Sequence, residues 1–158
     1  LFDRVMVDVP CSGLGALRRR PEARWRKSPR DIAELLPLQR QLLDAAIEAT
    51  RPGGVIAYVT CSPHAAETQN IVAEVLESGA VSLLDSAAAL REVALHTEGA
   101  NGEPVSVLAG EKDPGHTPEI KVKKVAPAVK ASQNPTTAQL WPHVHGTDAM
   151  FLALLRKN

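Results

Sequence analysis

Residues 2–9 form a short apolar run rich in β-branched side chains that stops at Pro10-Cys11-Ser12-Gly13, which predicts a buried strand followed by a turn. Residues 18–30 carry many cations and no apolar period, so they read as a loop or a loosely helical segment. Ser28 as N-cap and Pro29 at the first helical position open a helix predicted to run to Thr50, with Pro37 expected to break or restart it. Leu35, Leu38, Leu42, Leu43, Ala46 and Ile47 recur at three- and four-residue spacing and mark its buried face; Arg51-Pro52-Gly53-Gly54 is expected to stop it. Residues 55–60 predict a second strand ending at Cys61-Ser62-Pro63. A helix over 65–77 follows, with Ile71, Val72, Val75 and Leu76 inward, Ser62 as its cap and Pro63 in its first turn. A short strand is predicted over 81–84, then an Ala-rich segment whose helicity the pattern leaves open. Residues 96–139, rich in Gly, Pro, Lys and Thr, are expected to be a loop insertion in which only 119–125 is strand-like. Residues 149–155 read as a buried last strand, with Arg156 and Lys157 outside.

Strand, helix, strand, helix, with connections too long for hairpins, implies an α/β fold with a doubly wound parallel sheet and the first two strands as neighbours. At 158 residues a single domain is the default. The chain opens directly into a strand without an initiator Met, which is expected of a fragment. No apolar stretch is long enough to span a bilayer and no leader pattern stands near Leu1, so the expectation is a soluble, cytoplasmic protein with no membrane partner. Two cysteines outside any CxxC or Cys/His array argue against a metal site. The formal net charge of zero hides a basic patch, Arg18, Arg19, Arg20, Arg24, Arg26, Lys27 and Arg30 around Trp25.

Cys11 and Cys61 each lie just past the carboxyl end of a predicted strand, where ligands sit in open parallel α/β sheets. If those strands are adjacent, their backbones are roughly 5 Å apart and two thiols 50 residues apart in sequence face one pocket. A helix start just after Cys61 would favour its thiolate and make it the better nucleophile. The same positions suit small core residues or a redox disulfide. Asp8 is open to a turn-capping role or a site role. The basic segment is open to being a solvated loop or a phosphate-neutralising surface on which Trp25 or Arg24 stacks against a base.

Three segments narrow these alternatives. Asp8-Val9-Pro10-Cys11-Ser12-Gly13 resembles the Asp-x-Pro-Cys-Ser-Gly motif of the Sun/Fmu family of RNA cytosine-5 methyltransferases, whose bacterial members are similar to RsmB-type 16S ribosomal RNA enzymes. Thr60-Cys61-Ser62 resembles that family's second cysteine motif. Residues 140–151, from Leu140-Trp141-Pro142-His143 to Thr147-Asp148-Ala149-Met150-Phe151, resemble its C-terminal block, with Ala149-Met150 in place of the commoner Gly-Phe. The resemblance covers residues 1–95 and 138–158. It implies the C-terminal part of a Rossmann-like class I methyltransferase sheet with an antiparallel last strand.

The implied chemistry is S-adenosylmethionine-dependent methylation of cytosine C5 in RNA, with 16S ribosomal RNA as substrate. A Cys61 thiolate adds to C6 and makes C5 reactive toward the sulfonium methyl, and Cys11 assists the later loss of the C5 proton and release. The resemblance also implies that Asp8 contacts the cofactor side of the pocket or the exocyclic amine of the base. Pro10, Ser12, Arg24, Trp25, Ser62, His145 and Asp148 are the expected substrate contacts, with His145 and Asp148 expected to fix the last loop and wall the pocket rather than to act directly in catalysis. The target base must be unpaired or flipped. No Gly-rich turn follows a strand, since Gly53-Gly54 precedes one, so the cofactor-binding N-terminal half is expected to be absent and the fragment alone inactive. The first strand would then present an open apolar edge, inviting dimerisation or aggregation. The competing readings are a non-catalytic RNA-binding module and a thiol-disulfide oxidoreductase.

Overall fold

The computed structural model describes residues 1–94 and 137–158. The elements follow the order β1 (Phe2–Asp8), a 3-10 turn at Leu14–Ala16, α1 (Ala23–Arg26), α2 (Pro29–Ala49), β2 (Thr50–Thr60), a second 3-10 turn at Ala65–Glu67, α3 (Gln69–Glu77), β3 (Val81–Leu83), α4 (Ser86–Ala94), β4 (Ala138–Gln139), α5 (Pro142–His145) and β5 (Phe151–Lys157). The sheet order is β1-β2-β5-β3, with β4 paired to β5. β1 and β2 are parallel, with Asp8 opposite Val59, and β5 runs antiparallel to β2, β3 and β4. Strands β1, β2 and β3 therefore share one direction, and the last strand, antiparallel as expected, is inserted between β2 and β3. The fully parallel sheet that alternation alone implied is interrupted because β5 carries a fully buried apolar register into the centre: Phe151, Ala153 and Leu155 are all inaccessible to solvent.

α2 and α3 pack together on one sheet face, where Leu43, Ile47, Ile71, Val72 and Val75 meet Ile56, Tyr58, Phe151 and Leu155 in one apolar cluster. The Tyr58 and Phe151 rings pack edge to face at 6.3 Å, joining β2 to β5. α2 begins at the expected cap: Ser28 Oγ accepts from the Asp31 N–H and the Asp31 carboxylate accepts from the Ser28 N–H, a reciprocal capping box.

Several expectations are corrected. Pro37 does not break α2, which is continuous over its 21 residues; Pro37 and Ala33, one turn before it, are both exposed, so the carbonyl that loses its donor can be hydrated. The buried stripe is Ile32, Gln39, Leu43, Ala46 and Ile47, with Leu36 and Leu42 half-buried against the core, while Leu38 is 43% exposed. The helix ends at Ala49 rather than at the Pro-Gly-Gly run. That run enters β2 as an irregularity where the register jumps from Phe2–Thr50 to Arg4–Val55, and Gly53 adopts φ +76°. The expected helix over 65–77 is split at Thr68 into a 3-10 turn and α3, so Ser62 caps neither; His64 Nδ1 accepts from the Ala66 N–H instead. Arg156 and Lys157 belong to β5, and Lys157 Nζ donates to the Thr50 carbonyl at 2.7 Å. Of the expected insertion, Ala138–Gln139 forms β4; residues 96–136, including the strand-like 119–125, lie outside the described residues. β1 is the edge strand, with Leu1, Phe2 and Met6 exposed, Met6 by 74%. Among the described residues no helix is long and apolar enough to cross a membrane.

Candidate active site

The parallel pairing of β1 and β2 continues one residue past the end of β1, since the Val9 N–H donates to the Val59 carbonyl at 3.1 Å. Two residues further along each chain stand the cysteines, and their Sγ atoms are 2.9 Å apart, both free thiols and both half-buried. Gly15 closes the loop: its N–H donates to the Cys61 carbonyl and its own carbonyl accepts from the Ala149 N–H, each at 2.9 Å. The two cysteine segments and the C-terminal segment are thus stitched through one glycine whose missing side chain leaves the space they need.

The pair shares one proton. The hydrogen bond from the Cys61 thiol, with smaller help from the Thr60 hydroxyl and the backbone N–H groups of Gly13 and Cys61, lowers Cys11 to about 6. Thr60 Oγ1 is buried and makes no hydrogen bond of ordinary geometry, so its proton is free to turn toward the sulfur. Cys61 is pushed upward, first by its hydrogen bond to Cys11, then by burial and by the Cys11 charge. The α-helix expected to begin just after Cys61 begins at Gln69, too far along the chain for its N-terminus to act on that sulfur.

Beneath the thiols lies a polar cradle that the sequence reading did not single out. Glu67 is 0% exposed. Its Oε1 accepts from the Ser12 N–H at 2.7 Å and from Gln39 Nε2 at 3.0 Å, and its Oε2 accepts from the Ser12 and Ser62 hydroxyls, each at 2.6 Å. Gln39 Nε2 also donates to the Pro10 carbonyl at 2.9 Å, and the Tyr58 hydroxyl donates to the Glu67 carbonyl at 2.8 Å. Burial would raise the Glu67 carboxyl, but the donors from Ser12, Ser62 and Gln39 outweigh it and hold the group below its ordinary value. Ser12 and Ser62 are buried with their hydroxyls committed to Glu67. They hold the loops rather than face a substrate, which corrects their assignment as substrate contacts. One signal marks both missed residues: Gln39 and Glu67 occupy inward positions of otherwise apolar registers, 39 in the stripe of Ile32 and Leu43, and 67 in that of Ile71 and Val75.

The remaining expected residues spread around this centre. Pro10 is exposed beside Cys11, and Asp8 is exposed at the end of β1, where its charge helps to raise Cys61. Arg24 and Trp25 sit in α1; Trp25 is 84% exposed, with the Arg24 guanidinium 5.7 Å from its ring centre. Asp148 accepts a fork of hydrogen bonds from Arg19, which lowers its carboxyl and ties the basic segment to the last loop. His145 Nδ1 accepts from the Trp141 N–H at 2.9 Å, so this ring nitrogen is used within its own turn. A cavity of about 460 Å³ beside the site is lined by Leu14, Ile32, Leu36 and His64 among others, and neither thiol lines it. Among the described residues no cluster of His, Cys, Asp and Glu is placed to hold a metal ion.

The family described as 16S rRNA methyltransferase RsmB/F matches residues 1–156. A Mycobacterium tuberculosis (strain H37Rv) protein named as a methyltransferase is 49% identical over 156 residues, 99% of this chain and 26% of its own length. The ribosomal RNA small subunit methyltransferase B of Erwinia tasmaniensis is 51% identical over 61 residues, 39% of this chain and 14% of its own. A solved Pyrococcus horikoshii methyltransferase homolog superposes with a TM-score of 0.61 at 25% identity, over 99% of this chain and 39% of that one. The chain therefore spans about a quarter of the length of its Mycobacterium relative. A match running from the first strand to the last takes in all three motif segments, and the chain belongs to the 16S rRNA methyltransferase RsmB/F family.

Proposed function

We propose that this chain is the thiol-bearing part of an enzyme that methylates C5 of a cytosine in RNA, with 16S ribosomal RNA as substrate, Cys61 as nucleophile and Cys11 as its proton partner. The observation that carries this reading is the 2.9 Å contact between the two sulfurs. In the resting pair Cys11 is the thiolate and Cys61 the thiol. As Cys61 Sγ bonds to C6 of the base, its proton passes to Cys11, and the electrons of the C5–C6 double bond become available at C5.

S-adenosylmethionine, when bound, supplies the methyl group. Asp8, exposed and without a hydrogen-bond partner among the described residues, is the side chain here that would face it. The described residues contain no Gly-rich turn for that cofactor, so the rest of its site is assigned to other parts of the natural protein. After transfer, Cys11 loses its proton to solvent and then, as thiolate, takes the proton from C5 while the C6–S bond to Cys61 breaks. The cycle ends with one proton released and returns the pair to Cys11 thiolate and Cys61 thiol after a single proton shift between them. Arg18, Arg20, Arg24, Arg26 and Lys27 neutralise phosphates, and the exposed Trp25 plane stacks on an unpaired base.

The test uses the natural full-length protein. Cys61→Ala abolishes methyl transfer, and Cys11→Ala accumulates a covalent protein–RNA adduct on denaturing gels. The reverse pattern exchanges the two roles, and salt-dependent RNA binding without methylation by the unsubstituted protein supports the binding-module reading instead.

A further inference from the structure

We infer that Glu67 is the positioning residue of the thiol pair, holding Cys11 and Cys61 in reacting register through the serine that follows each of them. This rests on the reading of the two thiols given above. Ser12 and Ser62 come from loops 50 residues apart, yet both hydroxyls end on the same carboxylate oxygen at 2.6 Å. Each serine is one peptide from its cysteine, so a carboxylate that fixes both serines fixes the separation of the sulfurs. Cys11 is held from both sides, since Gln39 joins Glu67 Oε1 to the carbonyl of Pro10 and the Ser12 N–H reaches the same oxygen. Cys61 is held from its strand, because Tyr58 on β2 anchors the Glu67 carbonyl. None of the hydrogen bonds that Glu67 accepts comes from Lys or Arg, so a fully buried carboxylate is held by neutral donors alone. Burying such a charge is costly, and for stability alone an apolar side chain of similar volume serves as well. What an apolar side chain cannot do is take hydrogen bonds from both cysteine loops at one point.

The experiment compares Glu67→Ala, Glu67→Gln and the double variant Ser12→Ala/Ser62→Ala in the natural full-length protein, each checked for folding by thermal unfolding. Two quantities are read: kcat and KM for methyl transfer to 16S ribosomal RNA, and the pH profile of alkylation of Cys11 and Cys61 resolved by peptide mass spectrometry. The double variant keeps two of the donors to Glu67 but removes the shared hydroxyl clamp. It is expected to lose about 100-fold in kcat with KM little changed. Its acidic thiol ionisation should move from about 6 toward the value of an isolated cysteine. Glu67→Gln can still accept from the Ser12 N–H and donate its amide to both hydroxyls, so it recovers at least about tenfold of the rate lost in Glu67→Ala, together with the low ionisation. A double variant with native kcat and an unmoved alkylation profile overturns the inference. So does a Glu67→Gln enzyme as slow as Glu67→Ala with its thiol profile intact, which would assign the effect to charge rather than position. If the unsubstituted protein does not methylate, the proposed function fails, while the alkylation profiles still decide whether Glu67 sets the pair.

Discussion

Replacing Gly15 with alanine probes the junction where the three segments meet. A Cβ built there lies 2.5 Å from the Cys61 carbonyl oxygen and 2.8 Å from its carbon, and closer still to the Ala149 carbonyl oxygen, all of them backbone atoms. Ordinary contact begins at 3.4 Å, so the Cys61 carbonyl must retreat by the shortfall from 3.4 to 2.5 Å, about 0.9 Å, and Ala149 by more. The two 2.9 Å hydrogen bonds through Gly15 lengthen with it. Overpacking of this kind costs ~1–3 kcal/mol and two weakened hydrogen bonds add ~1–2 more, so roughly 2–5 kcal/mol is expected. With Cys61 as the nucleophile of the proposed function, a shift of about 1 Å at its residue is worth about 100-fold in rate. Thermal unfolding and methyl incorporation into 16S ribosomal RNA by the full-length protein read the two effects. Gly13→Ala is the control: at φ +73° and with nothing within 4 Å of its added Cβ, it should cost only the left-handed backbone penalty of ~1–2 kcal/mol. Gly15→Ala no more destabilising than Gly13→Ala, with a native rate, would refute the reasoning.

Three further outcomes follow from the same geometry. Tyr58→Phe leaves the buried Glu67 carbonyl without its donor and should lower stability by ~1–2 kcal/mol, read as a shift in urea midpoint at constant slope. Asp148 has a folded pKa below its unfolded one, so the Arg19 pair stabilises fully above the unfolded value and the contribution is lost as pH falls through the lower folded value. Because Arg19 is largely exposed, Asp148→Asn should remove no more than ~1 kcal/mol at neutral pH and flatten that acid limb; a larger neutral-pH effect with an unchanged limb contradicts the assignment. Replacing Arg24 and Arg26 together with Ala should weaken RNA binding and shallow its salt dependence by up to about two units of log–log slope, measured by filter binding from low to high salt; an unchanged slope places these cations off the RNA path.

By itself the sequence determined the order β1, α2, β2, α3, β3 and β5, the Ser28–Pro29 start of α2, the neighbouring parallel strands and the placement of both cysteines past their ends. All of these rest on local chemistry: β-branched runs, caps and turn residues act over a few positions, and motif spacing then implies proximity. The tertiary structure decided what depends on partners far along the chain. Pro37 stays helical because its side of α2 meets water, and Leu38 faces out because the stripe is set by where β1 and β2 lie. Ser62 turns inward because a carboxylate five residues on receives it, and β5 enters between β2 and β3 because its apolar register fits the centre. Most of all, Gln39 and Glu67 stand as polar residues at inward positions of apolar registers, and what they bind there is set only when two cysteine loops close over them. Only then do the donors around the thiol pair differ, with the Thr60 hydroxyl and the Gly13 N–H on the side of Cys11, which lowers Cys11 and raises Cys61.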